Sequence, residues 1–301
     1  MENGQDRGLR DRLLRRRPSG VLDLEAGRRW FSEAQFRTAP GLSQLIEHYW
    51  RVRWDVRGHG PHTQHTLSNA SVHFVVHRGE CRIQGIVTGR FTKVLEGQGR
   101  VFGVKFRPAG FRPFRGSPVS DLTDRSIPIR EVFGPEGDAL AEKILSLDDE
   151  ARIVELLDAF FLERLPPVDP VVATLNQIVA RVVADRTITT VDTLVRRTGI
   201  AKRTLQRQFS QYVGVSPKWV IQRYRLHEAE ERLAAGEPVD LATLALELGY
   251  YDQAHFARDF RAIVGRPPSS YGRSAAGQRD SSRRRSRPSR IRSSPYSNSS
   301  P

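Results

Sequence analysis

The sequence predicts an α+β chain: a mostly-β N-terminal part with a helical subdomain, followed by an all-α C-terminal domain. Three observations carry that division. Apolar and polar residues alternate at period two in the stretches 71–77, 82–87 and 100–106, the pattern of half-buried strands. Between 139 and 162 the apolar period lengthens to that of an amphipathic helix. From 190 to 273 one small helical device is written twice.

Taken in order, residues 1–20 carry an arginine cluster (Arg7, Arg10, Arg12, Arg15, Arg16, Arg17) and too few apolar residues for a core, so a disordered basic arm is expected. A solvated tail or a start codon assigned too early explains it equally well. Residues 21–165 form the next unit, β over 21–117 and helical over 118–165. Turns are expected at Gly79, Gly89, Gly97, Gly99 and Gly110, and short strands at this spacing suggest a small sandwich or barrel. The stretch 41–50 reads as a short helix or a strand entry. Phe111-Arg112-Pro113-Phe114-Arg115 reads first as a surface turn, and second as the lining of a pocket for an anionic or aromatic effector. The helical stretches 139–145 and 153–162 end at Pro166-Pro167, and 166–170 is the expected linker. Residues 171–273 make the repeat-bearing domain. A Ser/Arg/Pro-rich tail, expected to be disordered, occupies 274–301.

In the first repeat Thr190 is placed to cap a helix whose inward face is Val191, Leu194 and Val195. Gly199 then supplies a left-handed turn. The following helix buries Leu205 and Phe209, four residues apart, and turns Arg203, Gln206, Arg207 and Ser210 outward beside Thr204. No acidic residue falls between Ala201 and Gln211. Arginine can take both acceptors of guanine and glutamine the pair on adenine. The second repeat has Gly249 as its turn, Asp252 as N-cap, and Phe256 and Phe260 inward. It is one residue longer in the turn, and its outward set is Ala254, Ala257, Arg258 and Arg261, flanked by Gln253 and His255. Short alanines reach only a thymine methyl, so the first unit is expected to read more bases than the second. Between them Ser216-Pro217 opens a helix that Gly236 stops, about 19 residues and ~28 Å long. Two helix-turn-helix units on such a rod suit adjacent major grooves, about 34 Å apart.

The C-terminal ~100 residues resemble the DNA-binding domain of AraC/XylS-type bacterial transcription regulators. The motifs are Gly199 with the run from Arg203 to Phe209, Arg225-Leu226 with Ala229 and Leu233, and Gly249-Tyr250 through Asp252-Gln253-Ala254-His255-Phe256 to Phe260, Gly265, Pro268 and Tyr271. The resemblance implies seven helices, with Arg203, Gln206 and Arg207, and Ala254, Ala257 and Arg258, facing the major groove. It implies a cupin-like effector barrel upstream, and a dimer contact through the helices of 118–165, which otherwise simply pack on the barrel. Departures are Ala201, where Ser or Thr is usual, costing about 1 kcal/mol of capping, and the extra Pro267.

The chain has 301 residues and a net charge of +14, with arginine far more abundant than lysine, which suits a polyanionic partner. A single cysteine, Cys81, excludes an intramolecular disulfide and a multi-cysteine zinc site. Six of the eight histidines lie between His48 and His77, but the His-x-His pair of a metal cupin is missing, so no metal and no cofactor is expected. No membrane span or signal-peptide core is visible, and a cytoplasmic protein is expected. The expected function is sequence-specific DNA binding in transcription regulation, as an activator, with no catalytic residue. Double-stranded promoter DNA, RNA polymerase, a small-molecule effector and a second copy of the chain are the expected partners. The alternatives are a bifunctional DNA-repair alkyl acceptor using Cys81 and an architectural DNA binder without an effector.

Overall fold

The computed structural model describes residues 9, 11–14, 20, 22, 29–235 and 239–271. Most of the basic arm, the Gly236 stop and the tail 274–301 lie outside the described residues. Eight strands run Phe31–Phe36 (β1), Ile46–Asp55 (β2), His62–Leu67 (β3), His73–His77 (β4), Glu80–Gln84 (β5), Arg90–Leu95 (β6), Gln98–Phe106 (β7) and Ser126–Pro128 (β8). Nine helices among the described residues are Arg112–Arg115 (α1), Arg130–Ser146 (α2), Glu150–Glu163 (α3), Pro170–Ala184 (α4), Val191–Thr198 (α5), Lys202–Gln208 (α6), Pro217–Ala234 (α7), Leu241–Glu247 (α8) and Gln253–Val264 (α9). A further helical turn begins at 268–271. The chain is thus β-rich, then helical, as its periodicity requires.

Six strands form one antiparallel sheet in the order β1-β2-β7-β4-β5-β8, and β3 and β6 form a separate ribbon. Alternation gives the sheet two different faces. One face buries Phe36, Tyr49, Phe74, Phe102 and Phe106. Phe133 of α2 and Phe161 of α3 close it, with ring centroids 5.7–6.0 Å apart, at edge-on angles that aromatic quadrupoles favour. Asp158 of α3 is buried here too. It accepts from the Tyr49 hydroxyl at 2.9 Å and the Ala39 amide at 2.8 Å, and pairs with Arg12. On the opposite face Trp50 and Trp54 stand across β7 from Gly103 and Gly99, where any side chain would strike the indoles. Trp50 donates its indole N–H to His73 at 3.2 Å, and Trp54 stacks on His77 at 5.5 Å.

One open reading is resolved, 41–50 as a strand entry, and two expectations change. Within 41–50 only a single 3-10 turn, Pro40–Leu42, precedes strand β2, because ladder pairing on both edges overrides local helix propensity. The run 111–115 is neither a surface turn nor a pocket lining. Phe111 is fully buried, Phe114 joins the aromatic core, and Arg112 lies over the Tyr212 ring. Residues 118–165 are not all helical either, since β8 adds an edge strand to the main sheet.

The helical part does not stand apart from the sheets. Asn176 of α4 accepts from the Ala109 amide at 3.0 Å and donates to Gln44 at 3.0 Å. Leu22 and Leu67 from the N-terminal part join Leu226, Leu233, Phe256, Phe260 and Val264 in one apolar cluster. The core around the second helical repeat is therefore shared across the chain.

Half-buried His73 and buried His227 make stability depend on pH. Burial, then Lys105 and His48, push His73 down to about 3, against a smaller opposing pull from Glu47. Burial, then Arg223 and Lys105, push His227 down to about 3, against the Ser68 carbonyl. The unfolded chain takes a proton near pH 6.5 while the folded chain does not, so stability is lost as pH falls from 6.5 toward 3. Between pH 7.5 and 5.5 each histidine should cost about 1.4 kcal/mol. Urea midpoints at the two pH values, with His73→Gln and His227→Gln for comparison, check this; a flat profile in the parent chain refutes it.

Candidate nucleic-acid interface

In the first repeat only the leading helix has a side-chain cap. Thr190 accepts from the Thr193 amide at 3.1 Å, and Gly199 ends α5 with φ 69°. Ala201 gives α6 no side-chain cap. Leu205 and Phe209 are fully buried, which anchors the helix and fixes its outward face. Arg203, Gln206, Arg207 and Ser210 are exposed and Thr204 is half-buried. The α-helix ends sooner than expected: at Phe209–Val213 it widens into a π turn, closed by Gly214 at φ 89°. Ser210 is therefore carried by the π turn, although it still faces outward.

In the second repeat Asp240 caps α8 through the Ala242 and Thr243 amides. Gly249 turns at φ 82°, and Asp252 accepts from the His255 amide at 2.7 Å. Phe256 and Phe260 are fully buried. Gln253, Ala254, Arg258 and Arg261 are exposed, while His255 and Ala257 are half-buried. His255 is already engaged, 3.7 Å from Asp259 and edge-on to Tyr250. The structure thus presents Arg203, Gln206, Arg207 and Ser210 on one helix-turn segment and Gln253, Ala254, Arg258 and Arg261 on another. Tyr251, 89% exposed in the second turn, drew no attention in the sequence because no periodicity marks a single turn residue.

The joining helix α7 is capped by Ser216, which accepts from the Trp219 amide at 3.1 Å, and has 18 residues, about 27 Å. It is more than a rod. Arg223, Arg225, His227 and Glu228 are buried along it. Arg225 donates to Glu228 at 2.5 Å, to the Val182 carbonyl, and to the Asp185 carbonyl at 3.4 Å at the end of α4. Arg186 approaches Glu228 at 3.4 Å, and Arg232 reaches Glu247 of α8 at 2.6 Å. This network ties α4, α7 and α8 together, so it fixes the second repeat to the joining helix and to α4. The Arg225/Glu228 spacing of three and the Glu228/Arg232 spacing of four are its traces in the sequence, and solvent-exposed helix pairs share them.

Cys81 is half-buried, and burial pushes its thiol up, opposite to an activated nucleophile. Among the described residues no group of three or more His, Cys, Asp or Glu is arranged to hold a metal ion, and no helix is long and apolar enough to cross a membrane.

Two helix pairs, each with a glycine turn and a polar outward helix, joined by a long helix, define a double helix-turn-helix protein. A family model described as a helix-turn-helix domain matches residues 194–274, and one described as a domain of unknown function matches residues 34–128. The transcriptional activator RhaS of Pectobacterium carotovorum is 35% identical over 77 residues, 26% of this chain and 27% of its own length. The transcriptional activator AarP of Providencia stuartii is 33% identical over 89 residues, 30% of this chain and 65% of its own. A solved structure of a probable AraC family transcriptional regulator from Rhodopseudomonas palustris is 32% identical, covering 33% of this chain and 94% of that one, with a TM-score of 0.30. The C-terminal part of the chain therefore carries a helix-turn-helix domain of the AraC type, matched over residues 194–274. The chain spans about a quarter of the RhaS length it matches.

Proposed function

We propose that this protein is a sequence-specific DNA-binding regulator of transcription that reads two successive major-groove segments, α6 with one and α9 with the other. The observation that carries this is the pair of outward faces, each set by two buried anchors and each offering arginine. Arg203, Gln206, Arg207 and Arg258 make the base contacts, each worth roughly 1–3 kcal/mol of discrimination; Thr204, Ser210, Gln253, His255 and Arg261 serve backbone contacts, and Ala254 and Ala257 meet apolar base edges. The two relatives named above are activators, which favours activation through RNA polymerase, in the cytoplasm where promoter DNA lies. The N-terminal β-rich part, residues 21–165, serves as an effector or dimerisation domain. The boundaries at 166–170 and 171–273 divide it from the reading domain.

Binding-site selection with the full chain and a random duplex library tests the proposal. A defined motif, bound over scrambled competitor at physiological ionic strength, supports it; binding without sequence preference and with a steep salt slope refutes it and favours an architectural role. Within that assay Arg203→Ala or Gln206→Ala should relax base preference more than Arg261→Ala. An equal or reversed effect removes the asymmetry between the two units.

A further inference from the structure

The connection between β5 and β6, together with the first residue of β6, meets three separate points of the helical region within five residues, 86–90. Ile86 lies against Gly214 at the close of the first repeat, where a β-carbon would come within 2.9 Å of its side chain. The carbonyls of Thr88 and Gly89 accept from the buried Arg223 guanidinium of α7. Arg90 covers Gly265 at the C-terminal end of α9 so closely that a β-carbon there would overlap the guanidinium. One short segment therefore meets the first repeat, the joining helix and the second repeat.

The segment is itself clamped. Asp124 accepts from the Thr88 amide at 2.7 Å and from its hydroxyl at 2.6 Å, and donates its own amide to the Ile86 carbonyl at 2.8 Å. To do so it adopts φ 58°, and it is the one non-glycine residue with positive φ among the described residues. Aspartate tolerates that region better than most residues, but still at a conformational cost. The adjacent Thr123 hydroxyl donates to the Gly214 carbonyl at 2.6 Å. Strain is thus accepted where the chain grips 86–90. Arg223, 2% exposed, stacks over Trp219 at 4.6 Å, so its side chain has little freedom to release the two carbonyls.

We infer that Asp124 and Arg223 are positioning residues which, through 86–90, set the angle and separation of the two reading helices and so fix the half-site spacing the protein accepts. The inference rests on the reading of α6 and α9 as DNA-reading helices. A contact that only stabilised the fold would change how much protein is folded, not which spacing it prefers.

The test uses the full chain carrying Cys81→Ser, with nitroxide labels on Ser210→Cys and Ala262→Cys, both exposed positions. The parent should give one narrow distance distribution by double electron–electron resonance. Asp124→Gly removes the clamp while relieving the backbone, and Arg223→Met removes the grip on the carbonyls; both should broaden or shift the distribution. The same variants without labels are then assayed on the selected duplex with about five base pairs, half a helical turn, inserted between half-sites. Insertion should weaken parent binding by about tenfold or more and variant binding by less than about threefold, as expected when a rigid span becomes compliant. Asp124→Asn, which keeps the acceptor and suits the left-handed region, should restore the parent profile. If Asp124→Gly does not fold, Thr88→Val removes one clamp bond in its place. Unchanged distance distributions overturn the inference, as does a uniform loss of affinity with an unchanged spacing profile. The label measurement needs no DNA, so failure of the parent to select any sequence would sink the functional reading while leaving this one decided.

Discussion

Replacing Glu228 by alanine will destabilise the protein by about 3–5 kcal/mol, the cost of leaving a buried charge without its partner. The stranded group is Arg225, whose side chain is 2% exposed and which donates to Glu228 at 2.5 Å. Arg186 and Arg232, at 3.4 and 3.9 Å, lose a counter-charge in the same step. Glu228→Gln keeps an oxygen acceptor and should cost less. Replacing Arg225 and Glu228 together by Met and Leu should recover most of the loss, because an apolar pair has no ion to desolvate. Urea unfolding of the three variants reads all of this. A loss below about 1 kcal/mol in Glu228→Ala would show that water satisfies Arg225 and that the network does not hold the helices.

Asp158→Ala should rank next, again at about 3–5 kcal/mol. The carboxylate is 6% exposed and serves three donors from separate places: the Tyr49 hydroxyl of β2, the Ala39 amide before β2, and Arg12. Its removal leaves two donors unsatisfied inside the sheet–helix core and one arginine without its partner. Burial and the neighbouring carboxylate both push the Tyr49 hydroxyl up, so it stays protonated and needs an acceptor throughout the working pH range. Asp158→Asn retains an acceptor for Tyr49 and Ala39 and should cost less than half as much, about 1–2 kcal/mol. Equal losses in the two variants would mean that charge, not hydrogen bonding, dominates. Thermal or urea midpoints of the full chain distinguish these outcomes.

The two helix-turn-helix units were legible because each feature is local. A cap, a glycine turn and two anchors four residues apart specify which side chains face outward, and Thr190, Gly199, Leu205 and Phe209 all behave as that grammar requires. The π turn after Gln208 was not legible, since Phe209 through Val213 suit an α-helix equally well and tertiary packing decides the difference. Strand β2 was ambiguous for a related reason: 41–50 has helix-compatible residues, and only pairing with β1 and β7 commits it. Phe111 and Phe114 looked like a surface turn because basic residues alternate with them, yet the rings fill the core while Arg112 covers the Tyr212 ring and Arg115 donates to the Pro118 carbonyl. Least legible was the polar seam along α7. Arg223 and His227 meet carbonyls some 135 and 159 positions away, and no pattern within a helix announces partners that distant.

Leu67 has a consequence for how the molecule comes into being. It sits in the apolar cluster with Phe256 and Phe260, nearly two hundred positions later in the chain. Ribosomal synthesis delivers that leucine long before the rings that will cover it. Contacts of such wide sequence separation are slow to close, because chain entropy must be spent before they reward it. The early half must therefore wait with a greasy notch open, and the final helical pair finishes a surface laid down at the start.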